Sequence, residues 1–348
     1  MARPRCTIEH IKLSGFKSIE QAEIDFGRVN VLIGANGAGK SNLVSFFRLL
    51  SASLGGRVDE FVGRQGGANA LLHFGAKRTD SISAAIAMTC ESRRGTVEFQ
   101  AAFQAPDRLR PASTWEPPET GPGLALQCSS ALFALRAYHF HDTSLTAPIR
   151  QSVYLEDNHS LREDAGNVAA MLYLYKQRHP AIYRRIVATV RHIAPFFEDF
   201  RIAPQQLNPK NVLLDWLVRD RDYLFGPHQF SDGTLRAIAL VTVLLQPEDS
   251  LPDVLVIDEP ELGLHPSAIE IVTGLIRAVA AQNTQIILAT QSTALLDHFE
   301  PAEIIVTDIE QGRSRFRRLD PNDLADWLAD YSVSELWQKN VIGGGPLT

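Results

Sequence analysis

Val29-Asn30-Val31-Leu32-Ile33-Gly34-Ala35-Asn36-Gly37-Ala38-Gly39-Lys40-Ser41-Asn42 is the stretch from which the rest of the chain can be read. Val29 to Ile33 is a short, mostly β-branched apolar run, the pattern of a buried strand. The next eight residues fit GxxxxGK[ST]. Beyond them Leu43, Phe46, Phe47 and Leu50 recur at spacings of three and four, which predicts a helix from about Lys40 to Leu54 with one apolar face. Strand, glycine-rich turn and helix in this order are the setting in which the motif holds a phosphate chain. Small residues let backbone N–H groups wrap the phosphates, and the helix turns its positive end toward them. The expected nucleotide-binding set is Gly34, Asn36, Gly37, Ala38, Gly39, Lys40, Ser41 and Asn42. Lys40 reaches for the β- and γ-phosphates, and the Ser41 hydroxyl is a ligand for Mg²⁺.

A second site element lies far along the chain. Leu255-Val256-Ile257-Asp258-Glu259 is an apolar strand that ends in two acids. Asp258 is the expected second Mg²⁺ ligand, and Glu259 is placed to polarise an attacking water as general base. Upstream, Ser231-Asp232-Gly233-Thr234-Leu235-Arg236 opens a predicted helix. A serine there caps the helix and marks an anion site.

These residues resemble the SMC/RecF-like branch of the ABC ATPases, and within it the stand-alone bacterial AAA-type ATP-binding proteins. Ser231 to Arg236 is similar to the ABC signature, Pro260-Glu261-Leu262-Gly263-Leu264-His265-Pro266 to the D-loop of that branch, and Leu13-Ser14-Gly15-Phe16-Lys17-Ser18 to its opening strand and turn. The tail Tyr331-Ser332-Val333-Ser334-Glu335-Leu336-Trp337 also looks like endings in that group. The resemblance covers roughly residues 1–50 and 225–310. It implies an α/β P-loop NTPase of ABC type: a mixed sheet with crossover helices, an N-terminal antiparallel β part and an inserted β/helical lid. The expected organisation is a single ATPase domain built from 1–54 and 225–348, interrupted by an insertion at about 55–224. The implied cofactors are ATP and Mg²⁺, with Lys17 near the phosphates. Ser231 and Gly233 would contact the γ-phosphate of ATP held by the other subunit of a homodimer.

Two positions depart from the pattern. The family usually carries a histidine after the strand that follows Asp258-Glu259, in contact with the γ-phosphate; here Gln291 stands in its place. An amide can hydrogen-bond a phosphate but cannot carry charge or move a proton, so slow or activator-dependent hydrolysis is expected. Gln291 joins Glu259 and Lys40 in the expected catalytic set. Asp232 puts an acid where a triphosphate is to bind. The family's glutamine loop has two readings, Gln151 and the segment Tyr138-His139-Phe140-His141-Asp142. The latter could also ligate a metal, although a polar turn is the commoner meaning of such a cluster.

The remaining sequence reads as α/β. Strand patterns fall at Thr7–Leu13, Gln21–Phe26, Ile82–Met88, Val97–Phe103, Val212–Leu217, Val254–Ile257, Gln285–Ala289 and Ile304–Val306. Helical patterns fall at Ala165–Arg191 with Pro180 opening a second helix, at Thr234–Leu245 and at Ser267–Ala281. Pro106 to Pro122 is expected as irregular loop. Lys176, Arg178, Arg184, Arg185 and Arg191 could meet a phosphate backbone or be a solvated face. Tyr173, Tyr175, Tyr183, Phe196 and Phe197 could stack bases or fill a core.

The net charge of −6 gives no support to a strongly basic nucleic-acid binder. Cys6, Cys90 and Cys128 are far apart in sequence and odd in number, so neither a disulfide framework nor a zinc site is expected. The start lacks the apolar core of a secretory signal, and no run reaches the roughly 18 apolar residues of a membrane span. A cytoplasmic protein without a membrane partner is expected. The working function is an ATP-driven dimer switch that acts on DNA or on a nuclease or effector partner, in DNA repair or anti-phage defence. The alternatives are a slowly hydrolysing ATP sensor and a transporter's nucleotide-binding subunit.

Overall fold

The structure is a computed structural model and describes residues 5–91, 93–116, 122–221 and 223–345. Strands β1 (Cys6–Phe16), β2 (Ile19–Asp25) and β3 (Val29–Ile33) lead to helices α1 (Lys40–Leu54) and α2 (Val58–Arg64). Strands β4 (Ser81–Cys90), β5 (Arg93–Gln104) and β6 (Arg108–Glu116) follow, then α3 (Pro122–Ala134) and β7 (Arg136–Tyr138). The middle of the chain holds β8 (Val153–Tyr154), α4 (Val168–Arg178), α5 (Pro180–Ile193), β9 (Phe197–Phe200), β10 (Asn211–Val212), β11 (Trp216–Val218), β12 (Leu224–Phe225) and α6 (Asp232–Leu244). The last part runs β13 (Val254–Asp258), α7 (Pro266–Ala281), β14 (Gln285–Thr290), α8 (Thr293–Leu296), β15 (Ile304–Glu310), β16 (Arg313–Arg318), α9 (Ala325–Leu328) and α10 (Val333–Gln338).

These elements form two compact units. The first comprises residues 1–137, 252–258 and 283–348. It contains a five-stranded antiparallel sheet in the order β2-β1-β4-β5-β6 and a six-stranded sheet in the order β16-β15-β3-β14-β13-β7. In the second sheet β15, β3, β14 and β13 run parallel and β16 pairs antiparallel. The fold is thus the expected mixed α/β one. Asn30, a polar residue in a fully buried strand, is accommodated because its Nδ2 donates to the carbonyls of Gly27 (2.9 Å) and Ile286 (3.0 Å).

Helix α1 differs from its expected one-sided pattern. Val44 and Leu49 are buried along with Leu43, Phe46, Phe47 and Leu50. On one side Phe46 meets the rings of Phe16 and Phe99, and Phe47 meets Phe26. On the other side the same core takes in Leu32, Val254, Val256, Ile287 and Ala289 of the parallel sheet. A helix held between two sheets needs apolar residues around most of its girth.

Two further observations correct the sequence reading. The stretch expected as irregular loop forms β6 and the start of α3, residues 117–121 lying outside the described ones. Pro111 pairs with Ala101 on the outermost strand of its sheet, where a missing N–H is tolerated. The cysteines, remote in sequence, converge. Cys6 and Cys90 are directly opposite on β1 and β4 and form a disulfide; the buried Cys128 Sγ of α3 lies 3.1 Å from that of Cys90. Sequence spacing gives no hint of a cross-strand register, so the pairing is invisible in the chain alone.

The second unit comprises residues 138–251 and 259–282. Helices α4 to α7 carry its core, with Val168, Leu172, Ile186, Val190, Ile238 and Ile276 buried. An aromatic cluster of Phe197, Phe200, Trp216, Phe225 and Phe230 supports the small β9-β11-β12 sheet.

Candidate functional site

In the first unit the parallel strands deliver their C-terminal ends to one edge. The register pairs Asp258 with Ala289, and Ala289 with Leu32, so the end of β13, the end of β14 and the turn after β3 are level. Lys40 and Ser41 at the start of α1, Asp258 and Gln291 therefore share the carboxyl edge of one sheet, where open α/β sheets bind ligands. Adjacent strands lie about 4.8 Å apart, so Asp258 is about 10 Å from the line of β3, a span that a phosphate chain with its cation can bridge. Asp258 is buried. A buried acid at the end of an apolar strand suits a divalent cation.

The loop itself is built closely. A Cβ at Gly34 would collide with the carbonyl oxygen of Thr307 on β15. The buried Lys40 Nζ donates to the carbonyls of Gly34 (2.6 Å) and Ala35 (3.0 Å), so the ammonium folds onto its own loop. Gly39 is the N-cap of α1, and no acid occupies the first turn of the helix, which leaves its positive end available to an anion. Ser41 is exposed at that end. The Asn42 side chain turns away from the loop, and its Nδ2 donates to Ser18 Oγ at 2.6 Å.

Lys17 and Ser18, which the resemblance places near the phosphates, turn to different partners. Lys17 Nζ donates to Ser45 Oγ (3.0 Å) and Gln65 Oε1 (2.8 Å), one helical turn beyond Ser41. Burial, aided by the Arg48 charge, brings its ammonium down to a pKa of about 8. Ser18 shares a hydrogen bond with Ser314 of β16 (2.6 Å), and Ser314 Oγ donates to the Ala38 carbonyl (2.7 Å). Ser314 is thus a buttress of the phosphate loop that sequence reasoning missed; nothing in the run RSRFRR distinguishes it.

In the second unit Glu259, the residue next to Asp258 in the chain, lies beside His141. Glu259 has φ 49°, the left-handed region that a non-glycine residue occupies only where its surroundings impose it. Its Oε2 lies 3.1 Å from His141 Nε2, and the His141 ring lies against that of His139, tilted by 31° with centroids 3.6 Å apart. Of the two glutamine-loop readings, then, the His141 segment is at the carboxylate; Gln151 is exposed and its Nε2 donates to the Leu145 carbonyl. The described residues place no metal-ligand cluster at His139–Asp142.

Ser231 caps α6 by accepting from the Thr234 N–H at 3.2 Å. A Cβ on Gly233 would strike the carbonyl oxygen of Gly263, so the signature and the D-loop are packed backbone to backbone. His265 of the D-loop caps α7. The awkward acid Asp232 is met by Arg150, whose Nη2 donates to its Oδ1 at 2.8 Å. Arg150, buried, also donates to the carbonyls of Thr143, Pro227 and Phe230. Arg236 donates to the carbonyls of Phe140 (3.0 Å) and His141 (2.9 Å). The two arginines are structural members of the site; Arg236 stands in the signature run, while Arg150 had no sequence signal.

The helices proposed to meet nucleic acid read more simply. Tyr175, Tyr183 and Phe197 are core residues, and Phe196 is exposed. Lys176 lies over the Tyr183 ring and Arg191 pairs with Glu198. No helix among the described residues is long and apolar enough to cross a membrane.

Residues 29–297 match the family described as "AAA domain, putative AbiEii toxin, Type IV TA system". Among curated proteins, a "Putative ABC transporter ATP-binding protein" of Methanosarcina acetivorans is 30% identical over 122 residues, covering 32% of this chain and 41% of the relative. A protein of the same description from Caldanaerobacter subterraneus is 25% identical over 120 residues, covering 32% and 48%. The chain thus spans less than half the length of these curated relatives. Among solved structures, an Smc head bound to the C-winged helix domain of ScpA superposes with a TM-score of 0.65 at 15% identity, covering 92% of this chain and 99% of the other. An Smc head domain with an extended coiled coil, bound to the C-terminal domain of ScpA derived from Pyrococcus furiosus, gives 0.66 at 14% identity, covering 93% and 99%. The fold is therefore that of an SMC head domain, a P-loop NTPase.

Proposed function

The chain belongs to the AAA-domain family whose description names the AbiEii toxin and a type IV TA system, and from that membership we propose that it binds ATP with Mg²⁺, hydrolyses it, and uses the cycle to close and reopen a homodimer. The observation that carries this reading is the common sheet edge of Lys40, Ser41, Asp258 and Gln291, with Glu259 as the next residue after Asp258. Lys40 binds the β- and γ-phosphates; its present bonds to the Gly34 and Ala35 carbonyls are ones that a phosphate oxygen would replace with a charge-assisted contact. The residues fit a divalent ion: Ser41 supplies a hydroxyl and Asp258 a buried carboxylate, an all-oxygen set of the kind Mg²⁺ takes. That ion would neutralise charge on the phosphates. Glu259 accepts the proton of the attacking water. Ser231 and the start of α6 offer an anion site to ATP held by a second copy.

The family description supports a defence setting, and the ScpA-bound Smc heads support a protein partner as the object of the switch, with DNA as the other object to be tested. Gln291 supports a second reading, an ATP sensor with slow turnover, because an amide replaces an ionisable group there.

The deciding experiment is ATP hydrolysis by the purified chain, wild type beside Lys40→Ala, with and without double-stranded DNA. Turnover that disappears in the variant establishes the ATPase, and a rise with DNA establishes DNA as an effector. Tight ATP binding without turnover would leave the sensor in its place. For the dimer, Glu259→Gln keeps the site and removes the base, so it is expected to elute as an ATP-dependent dimer on size exclusion. A monomer in saturating ATP would rule out the closed sandwich.

A further inference from the structure

We propose that His141 is a positioning residue for hydrolysis: its imidazole holds the Glu259 carboxylate, and Arg236 and Arg150 fasten the His141 loop to the signature, so the nucleotide-sensing helix and the base are one mechanical unit. The inference rests on the hydrolytic reading above and names how the base of that site is held.

The chain of contacts lies wholly within the second unit. His141 Nε2 meets Glu259 Oε2 at 3.1 Å. The ring is backed by that of His139, which lies tilted against it. The backbone that carries it is pinned by Arg236 Nε to the Phe140 carbonyl and by Arg236 Nη2 to the His141 carbonyl and Thr143 Oγ1 (3.3 Å). Arg236 belongs to α6, the helix that Ser231 caps. Arg150 makes a second tie: Nε donates to the Thr143 carbonyl (2.8 Å), Nη1 to the carbonyls of Pro227 and Phe230, and Nη2 to Asp232 Oδ1. A third side closes through Gly233 and Gly263, whose backbones leave no room for a methyl group between signature and D-loop.

A general base is useful only when its oxygen is aimed at the water, and a misplacement of the order of 1 Å is costly. Glu259 sits in a left-handed backbone conformation that requires outside support. The imidazole supplies it on the side-chain side. Gln291, just after β14, is an amide where the resemblance leads one to expect an imidazole, whereas an imidazole stands beside Glu259 itself. Because α6 holds both Ser231 and Arg236, an anion captured at the cap acts on the same rigid element that anchors His141. Engagement of nucleotide at Ser231 is thereby linked to the aim of Glu259.

The test uses the full chain and measures kcat, KM and ATP affinity for wild type, His141→Phe, His141→Gln, Arg236→Gln and the double variant His141→Phe/Arg236→Gln. Phenylalanine keeps a ring against His139 and removes the nitrogen that faces the carboxylate; glutamine restores a polar group there. His141→Phe is expected to lower kcat roughly 10- to 100-fold, with KM within about threefold of wild type. His141→Gln is expected to recover most of the loss. Arg236→Gln is expected to lower kcat, and the double variant to be no slower than the slower single one, because both changes break the same chain of contacts. Wild-type turnover in His141→Phe, equal losses in the Phe and Gln variants, or losses that multiply in the double variant would each overturn the inference. A wild-type protein no faster than Lys40→Ala would remove the hydrolytic reading itself and this inference with it. An active wild type with an indifferent His141→Phe would remove the inference alone.

Discussion

A half-buried ammonium group beside Ser45 and Gln65 leaves a thermodynamic signature. The Lys17 pKa in the folded chain, about 8, is below the unfolded lysine value of about 10.4. Between those values the unfolded chain binds more protons than the folded one, so stability rises with pH across that window. Below about pH 8 the folded chain carries the buried charge. Chemical-denaturation midpoints measured from pH 7 to 10.5 should therefore show a Lys17 contribution that increases with pH, and Lys17→Met should flatten it. An unchanged profile in the variant would mean that Lys17 is solvated. Gly34 gives a second prediction at this scale. A methyl group there meets the Thr307 carbonyl, so Gly34→Ala must push β3 and β15 apart. Loss of ATP binding by at least tenfold, with lowered thermal stability, is expected from overpacking of about 1–3 kcal/mol; binding at wild-type strength would show that the loop relaxes freely.

Elements that repeat a simple period were legible before any coordinates. The strand–loop–helix around Lys40, the strand ending at Asp258 and the helix opened by Ser231 stand where periodicity and capping chemistry put them. Pro180 opens α5, as a proline at the first helical position should. What sequence did not disclose depends on pairing across the fold. Proline chemistry argued against a strand at Arg108–Glu116, yet an edge position removes the objection. The all-round burial of α1 depends on two sheets that no single stretch encodes. Ser314 and Arg150 are identified only by their contacts, whereas His141 stands in a segment that the sequence singles out without choosing it over Gln151. The cysteines make the same point with a testable outcome. Peptide mapping of the unreduced protein should recover a Cys6–Cys90 crosslink and a free Cys128 thiol, a thiol that burial pushes up to about 11 and so keeps protonated. Reduction should lower stability by roughly 2–4 kcal/mol, the range for a tie that closes a long loop. Equal stability in oxidised and reduced forms would contradict the tie.

The molecule as a whole is two units threaded by one chain that crosses between them four times. One crossing is the peptide bond between Asp258 and Glu259, the proposed cation ligand and the proposed base. If two copies share each ATP, a defect in the phosphate loop and a defect in the signature should complement. Lys40→Ala and Ser231→Arg are each expected to be inactive, and their equimolar mixture to regain part of the wild-type turnover, because one of the two sites in a mixed dimer is intact. A mixture as inactive as its components would speak for a site complete within one chain.

The central place of β3 has a consequence for how the protein comes to be made. Val29 pairs with Ile286, 257 positions later, and on its other side β3 waits for β15. The second unit is complete once residue 282 has been synthesised, whereas the parallel sheet of the first cannot close before its final strands emerge from the ribosome. An apolar strand made among the earliest residues must thus remain unpaired through most of translation. Such distant pairing is slow, and the waiting segment is exposed to aggregation in the interval. Yield in cells should accordingly depend on chaperone capacity more than the stability of the finished protein would suggest.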